Sequence, residues 1–254
     1  MTGGYDPAHF AALYAVEDRH FWFRARNRII AKLAAQAAAK FGADCRVLEI
    51  GCGNGNVLHV LERVCPGGAI GMDLYAEGLA YARQRCRCPL LQADLARAPF
   101  STTFHMIGMF DVLEHIADDH SALRAVHNML EPHGKLLLTV PAQPSLWSAF
   151  DEQSGHFRRY EKEGLAYTLQ ECGYKIVYLT GYFAAIYPLL WLSRQLSRNH
   201  SPKDGPHAAV TRELRMVPVL NGLLWLALLP ESWWIGRGRR LPLGTSLLAV
   251  AERE

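Results

Sequence analysis

Between residues 46 and 140 short apolar runs alternate with stretches of helical spacing, and few folds accommodate that order. RVLEI (46–50), AIGMD (69–73), LLQAD (90–94), FHMIGMF (104–110) and KLLLTV (135–140) read as buried strands. Residues 57–64, 76–86 and about 119–130 between them carry apolar side chains at helical intervals. Strands that alternate with helices build a parallel sheet with right-handed crossovers. Asp118 and Asp119 predict the start of the last of these helices, and Glu131-Pro-His-Gly134 predicts its stop. Two later runs extend the sheet: 174–180, after a helix near 161–172, and 246–253. Ahead of the first strand, RARNRIIAKLAAQAAAKF (24–41) predicts a helix ended by Gly42.

The 254 residues suffice for one elaborated domain, expected as a cap region 1–41, a core of 42–180 with 244–254, and an insertion 181–243. Lys and Arg number 27 against 24 acids, a net charge of +3 that is too mild for a nucleic-acid partner. The 6 cysteines lack a second close pair beside Cys86 and Cys88, so they are expected to be reduced and packed rather than zinc ligands. MTGGYDPAHFAALY has no basic-then-apolar leader pattern, so cytoplasmic residence is the expectation. Composition marks 197–208 (SRNHSPKDGPHA) as a loop between two apolar stretches, 182–192 and 216–229. The second stretch, interrupted by Pro218 and Asn221, is too short to span a bilayer.

The strand at 46–50 runs into Gly51-Cys-Gly-Asn-Gly55. Its glycines let the main chain turn sharply and approach a ligand where parallel strands end. Their spacing departs from the dinucleotide fingerprint, and Glu49 just before the turn would repel a pyrophosphate while suiting a cationic ligand. Asp73 closes the second strand, where a carboxylate can accept hydrogen bonds from ribose hydroxyls. Asp94 closes the third, placed to meet an adenine amino group. A strand-ending Asp is otherwise a helix cap, but three acids ending three successive strands define one nucleoside-shaped site.

VLEIGCGNG, GMDLY, LLQADLARAPF and MFDVLEHI resemble, in order and spacing, the motifs of class I S-adenosylmethionine-dependent methyltransferases over residues 45–142. The resemblance implies an α/β Rossmann-like sheet of seven strands in the order 3-2-1-4-5-7-6, mostly parallel with the last strand antiparallel, and helices on both faces. It also implies S-adenosyl-L-methionine as cofactor and S-adenosyl-L-homocysteine as product. Gly51, Cys52, Gly53 and Gly55 then pack beside the methionine part. Asp73 with Leu74 holds the ribose, Asp94 with Leu95 meets the adenine, and Phe110 and Asp111 border the sulfonium. The stretch Asp111-Val-Leu-Glu-His115 also resembles ubiquinone-pathway O-methyltransferases, in which Asp111, Glu114 and His115 could hold a divalent metal. A structural or cofactor-shaping role is preferred, and no metal is expected.

In-line displacement at a sulfonium needs alignment, exclusion of water and, for a hydroxyl acceptor, a base. In this fold the loop after the fifth strand, 141–160, reaches the catalytic face. It supplies His156 as candidate base, Tyr160 as a polar catalytic wall, Trp147 against the substrate, and Arg158 or Arg159 for a substrate anion or for bracing Asp151. His115 is a second base candidate, and a solvated loop is the bland alternative. HFWFRARNR (20–28) resembles the N-terminal run of stand-alone bacterial methyltransferases, which makes His20, Trp22, Arg24 and Arg26 candidates for closing over cofactor or substrate. The insertion 181–243 is expected to be a helical lid whose Tyr182 and Tyr187 line the substrate pocket. Its aromatics otherwise pack a helical subdomain, or lie on a membrane with Arg237, Arg239 and Arg240 near headgroups. The leading expectation is methyl transfer to O or S of a small, partly apolar molecule. Alternatives are an RNA or protein methyltransferase, disfavoured because DVLE and no basic stripe follows the fourth strand, and a non-catalytic cofactor binder of a membrane-associated lipid or glycan pathway.

Overall fold

A computed structural model describes residues 6–197 and 208–254. Helices α1 (His9–Val16) and α2 (Phe21–Ala38) precede the sheet. The alternation then runs β1 (Val47–Ile50), α3 (Leu58–Val64), β2 (Ala69–Asp73), α4 (Ala76–Arg85), β3 (Leu90–Gln92), β4 (Phe104–Phe110), α5 (Asp119–Met129) and β5 (Leu130–Pro141). A short α6 (Ala149–Gln153) and α7 (Lys162–Glu171) lead to β6 (Tyr174–Tyr182). Helices α8 (Tyr187–Ser197), α9 (Ala208–Glu213) and α10 (Pro218–Ile235) then precede β7 (Ser246–Arg253). The sheet has seven strands in the order β3-β2-β1-β4-β5-β7-β6, and β7 is antiparallel to both neighbours, as the resemblance implied.

Alternate side chains of the strands feed two core layers, as the two-residue period of a strand requires. Val47, Met106, Leu137 and Leu248 pack with Ile29, Ile30 and Leu33 of α2 and with Leu228 of α10. Leu48, Ile107, Leu136 and Ala249 face the opposite way, toward Leu123 of α5 and Leu165 and Leu169 of α7. Register decides what meets at the strand ends. Ile50 lies beside Met72 and Met109, so Asp73 ends β2 level with Gly51 and Phe110, Asp111 follows one step beyond, and Glu49 sits two steps below Asp73 within β1.

Local boundaries differ from the sequence reading where side chains take over backbone duties. Helix α2 starts at Phe21, three residues early, because His20 Nδ1 accepts the Trp22 N–H at 3.3 Å as an N-cap. It ends at Ala38, short of the predicted 41. Helix α5 stops at Met129, just before Glu131-Pro-His-Gly134 as expected, but that stretch lies inside β5, with His133 at φ 63° where the register shifts. Strand β3 stops at Gln92, leaving Asp94 to cap a short turn by accepting the Ala96 N–H at 2.9 Å. Helix α1 has no counterpart in the reading. The predicted loop 197–208 lies for the most part outside the described residues, while Ser197 ends α8 and Ala208 opens α9. All 6 cysteines are unbridged. No described helix is long and apolar enough to cross a membrane.

Candidate active site

A cavity of about 710 Å³ opens where β1, β2 and β4 end. Its floor is the glycine turn. Gly51, Gly53 and Gly55 all take left-handed backbone angles, at φ 69°, 49° and 74°. A Cβ on Gly51 would lie 2.4 Å from Val112 Cγ2. Gly55 does not line the cavity: a Cβ there would meet Cys86 Sγ at 2.8 Å, so this glycine lets the turn pack on α4. Cys52 forms buried wall, and burial raises its thiol pKa, so it stays protonated and apolar.

The strand-end acids brace the turn that they border. Asp73 Oδ2 accepts the Gly53 N–H at 2.7 Å and Oδ1 accepts the Tyr75 N–H at 2.8 Å. Each carboxylate oxygen keeps a second lone pair. Leu74, Asp94 and Leu95 continue the wall on this side. Helix α1, missed by the reading, lies across the turn: Asn54 Nδ2 donates to the Phe10 carbonyl at 2.9 Å, and Glu17 pairs with Arg85. Phe10 Cε1 would be 3.4 Å from a Cβ on Gly53.

On the β4 side Asp111, at φ 57°, is clamped by Arg26 Nη1 at 2.6 Å and by Thr139 Oγ1 at 3.1 Å. Arg26 also reaches Asn56 Oδ1 at 3.3 Å, and its guanidinium lies 4.9 Å from the Trp22 ring. Thus Trp22 and Arg26 reach the cavity together with His20, whose Nδ1 lone pair is committed to its cap and whose pKa burial lowers. Arg24 points elsewhere, 4.1 Å over the Trp225 ring. Two acids in the interior each leave a buried oxygen with no hydrogen-bond partner among the described residues, Glu49 Oε2 and Glu114 Oε2. Burial pushes both carboxyls well above the usual range, against Arg26 for Glu49 and helped by Asp111 for Glu114. Unpaired buried carboxyl oxygens beside a glycine cradle fit the sulfonium and ammonium of S-adenosyl-L-methionine, with Glu49, Asp73 and Asp94 as the groups that would hold it.

The fourth side is the loop after β5. Gly155, at φ 73°, folds this loop back so that His156 Nδ1 meets Asp151 Oδ1 at 2.9 Å. Arg159 Nε donates to the same oxygen at 2.8 Å, while Asp151 Oδ2 accepts from Ser148 N–H and Oγ–H at 2.9 and 3.1 Å. Burial alone would raise the Asp151 pKa, but the His156 hydrogen bond and the Arg159 charge outweigh it and hold the carboxyl below its usual range. The His156 ring stands edge-on to His115, 4.7 Å between centroids. Burial, then His156, push His115 down to about 3, which makes it a weak base.

Glu114, His115 and His156 hold possible metal-ligand atoms within 4.8 Å of one another. That set replaces the Asp111, Glu114 and His115 trio, because Arg26 and Thr139 occupy Asp111. Several substrate-side expectations are corrected by placement. Tyr160 is buried away from the cavity and donates to Asp119 Oδ2 at 3.0 Å; Arg158 pairs with the same oxygen at 2.6 Å. Trp147 sits outside, donating to Glu152 at 3.2 Å. Tyr182 is core, and Tyr187 lies off the cavity, whose lid side is formed by Ile186, Leu190, Val210 and Leu214.

Comparison with known proteins bears on the family and the fold. A family model described as "Methyltransferase domain" matches residues 19–179. The chain is 26% identical over 168 residues to a Mycobacterium tuberculosis protein named "Probable S-adenosylmethionine-dependent methyltransferase", covering 65% of this chain and 59% of that relative's length. It is 30% identical over 113 residues to a ubiquinone biosynthesis O-methyltransferase of Ruegeria pomeroyi, covering 42% and 45%. In fold it matches the N-methyltransferase NodS of Bradyrhizobium japonicum, solved with S-adenosylhomocysteine, at TM-score 0.55 and 16% identity over 91% of this chain and 87% of that one. The chain belongs to the class I S-adenosylmethionine-dependent methyltransferase family.

Proposed function

We propose that this protein transfers a methyl group from S-adenosyl-L-methionine to an oxygen of a small, partly apolar molecule. The observation that carries the choice of oxygen is His156 on the cavity wall, held from behind by the buried Asp151. A thiol ionises readily near neutral pH, whereas a hydroxyl needs a base. The cofactor, when bound, supplies the electrophilic methyl on a sulfonium. Asp151 accepts the His156 Nδ1 proton, which leaves Nε2 as the lone pair able to take the proton of an acceptor hydroxyl. Asp151 is itself held by Ser148 and Arg159, so the imidazole keeps one orientation. Ile186, Leu190, Val210 and Leu214 give the acceptor an apolar wall and exclude water. Similarity to an O-methyltransferase supports the same reading.

The test is incubation with the cofactor and a panel of phenols, hydroxy fatty acids and thiols, with S-adenosylhomocysteine read by mass spectrometry. His156→Ala should lower turnover of a hydroxyl acceptor by about 10²- to 10⁴-fold while cofactor affinity stays within about twofold. Unchanged turnover in that variant removes the base; thiols alone being methylated removes the oxygen acceptor.

A further inference from the structure

Helix α10 carries apolar side chains on two faces, and the fold uses only one. Leu228, Ser232 and Ile235 are buried, the helix packing on α2, and Asn221 fixes its start by accepting the Phe21 N–H at 2.8 Å and donating to the Arg19 carbonyl at 3.0 Å. The opposite face presents Val219, Leu223, Leu226 and Trp233, which are 76, 59, 59 and 50% exposed. Their spacing of three, four and seven residues makes one stripe about 21 Å long. The single acid of this helix, Glu231, points inward to the N–H groups of Phe183, Ala184 and Ala185. Helix α8 repeats the pattern: Leu190 lines the cavity, while Leu189, Leu192 and Leu196 are 60, 51 and 67% exposed. Among the described residues nothing covers these side chains.

A row of cations flanks the stripe. Arg24, Arg28 and Lys32 recur every fourth residue on α2. Arg24 stacks on Trp225 of α10, and Lys32 lies against Gly236 at the end of α10, close enough to Arg28 and Arg237 that, after burial, their charge lowers its pKa. Arg237 lies 3.5 Å over the Trp233 ring and Arg239 5.9 Å from that of Trp234. Among the described residues these cations form no salt bridge. An apolar stripe ending in tryptophans, bordered by arginines of one sign, matches the boundary between acyl chains and anionic headgroups. A second copy fits less well, since a two-fold contact through this face would bring like charges together.

We propose that the exposed faces of α8 and α10, with the α2 cation row, dock on an anionic lipid bilayer. Helix α8 borders the cavity through Leu190, so docking there brings an apolar acceptor to the lid side without crossing bulk water. The proposal goes beyond the methyl-transfer reading and does not depend on it.

Co-sedimentation of the full chain with vesicles tests it, comparing phosphatidylcholine alone with phosphatidylcholine mixed with phosphatidylglycerol. Binding is expected to the mixed vesicles and should weaken as salt rises. Leu223→Glu with Leu226→Glu should lower it at least about tenfold, and Arg28→Ala or Arg237→Ala about fivefold each. Tyr167→Glu, at an exposed position of α7, should leave it unchanged. Thermal melting and S-adenosylhomocysteine affinity should match the parent protein in every variant, since the side chains are exposed. No sedimentation with anionic vesicles at low salt overturns the proposal, as does equal binding by the double glutamate variant. Light scattering that shows a dimer broken by the same variant, without vesicle binding, also overturns it in favour of a second copy.

Discussion

The two sides of the cavity are fixed by different kinds of contact. On the cofactor side, carboxylates hold backbone: Asp73 accepts N–H groups of Gly53 and Tyr75, and Asp94 that of Ala96. On the acceptor side, side chains hold side chains: Asp151 gathers Ser148, His156 and Arg159. The first arrangement follows from where parallel strands stop, so its geometry is tied to the sheet. The second depends on rotamers and a glycine reversal, which leaves it free to vary without disturbing the fold. Damage on the acceptor side should therefore reach the rate, and damage on the cofactor side should reach affinity and stability.

Asp151→Asn gives the sharpest contrast. An asparagine can present its N–H₂ to His156 Nδ1 and select the wrong tautomer, so turnover should fall about 10²-fold with cofactor affinity unchanged, measured by steady-state kinetics and calorimetry. The same substitution carries a pH signature. Because the folded carboxyl is held below its ordinary range, its contribution to stability is present above about pH 4 and lost as pH falls through the lowered value. Parent and variant should thus converge in stability toward acid pH, as denaturant titrations would show. Equal loss of affinity and rate would mean that the two sides are not separable.

Asp73→Ala tests the other side. Losing two charge-assisted bonds to the turn and the expected ribose contact should weaken S-adenosylhomocysteine binding about 10- to 100-fold by calorimetry. Gly51→Ala acts on stability instead. A methyl group 2.4 Å from Val112 Cγ2, on a left-handed backbone, should cost about 1–3 kcal/mol in denaturant melts.

Glu49→Gln makes the smallest and most diagnostic change. The raised pKa of Glu49 means that its contribution to stability is full at acid pH and lost as pH rises through the raised value. Without ligand, the variant should therefore gain on the parent protein as pH rises above the ordinary carboxylate range, by about 1 kcal/mol. Cofactor should bind the parent more tightly over the same rise, as Glu49 ionises opposite a cation, and the variant should lack that dependence. A pH-independent affinity in the parent would detach Glu49 from the cofactor.

The sequence was most legible where one segment carries its own geometry. Alternating apolar runs marked all seven strands, and VLEIGCGNG with Asp73 and Asp94 marked the floor of the cavity. It was least legible at contacts between distant segments. Helix α1 escaped because HFAALYAV is apolar nearly all round, and only the folded chain shows Phe10 resting against the glycine turn. Tyr160, Arg158 and Trp147 are catalytic or substrate candidates from their place in the loop after β5, yet Asp119 and Glu152 claim them. Asp151 and His156 stood together in the sequence, but the reversal at Gly155 made one hold the other. In the insertion the aromatic side chains are the expected wall, while Ile186 just before α8 and Leu190 within it form part of the lid side, because no local pattern says which side chains there turn inward.

By itself, then, the sequence determined the element types, the sheet that follows from them and the acids at its strand ends. Backbone hydrogen bonding and side-chain periodicity act over a few residues, so both are written locally. Tertiary structure alone decided that Arg26 meets Asp111 across 85 positions, that Glu49 and Glu114 keep unpaired oxygens, and that α10 turns a second apolar face outward. Those outcomes depend on how crossovers bring remote segments to one level, and on which groups are left over once close packing has taken the rest.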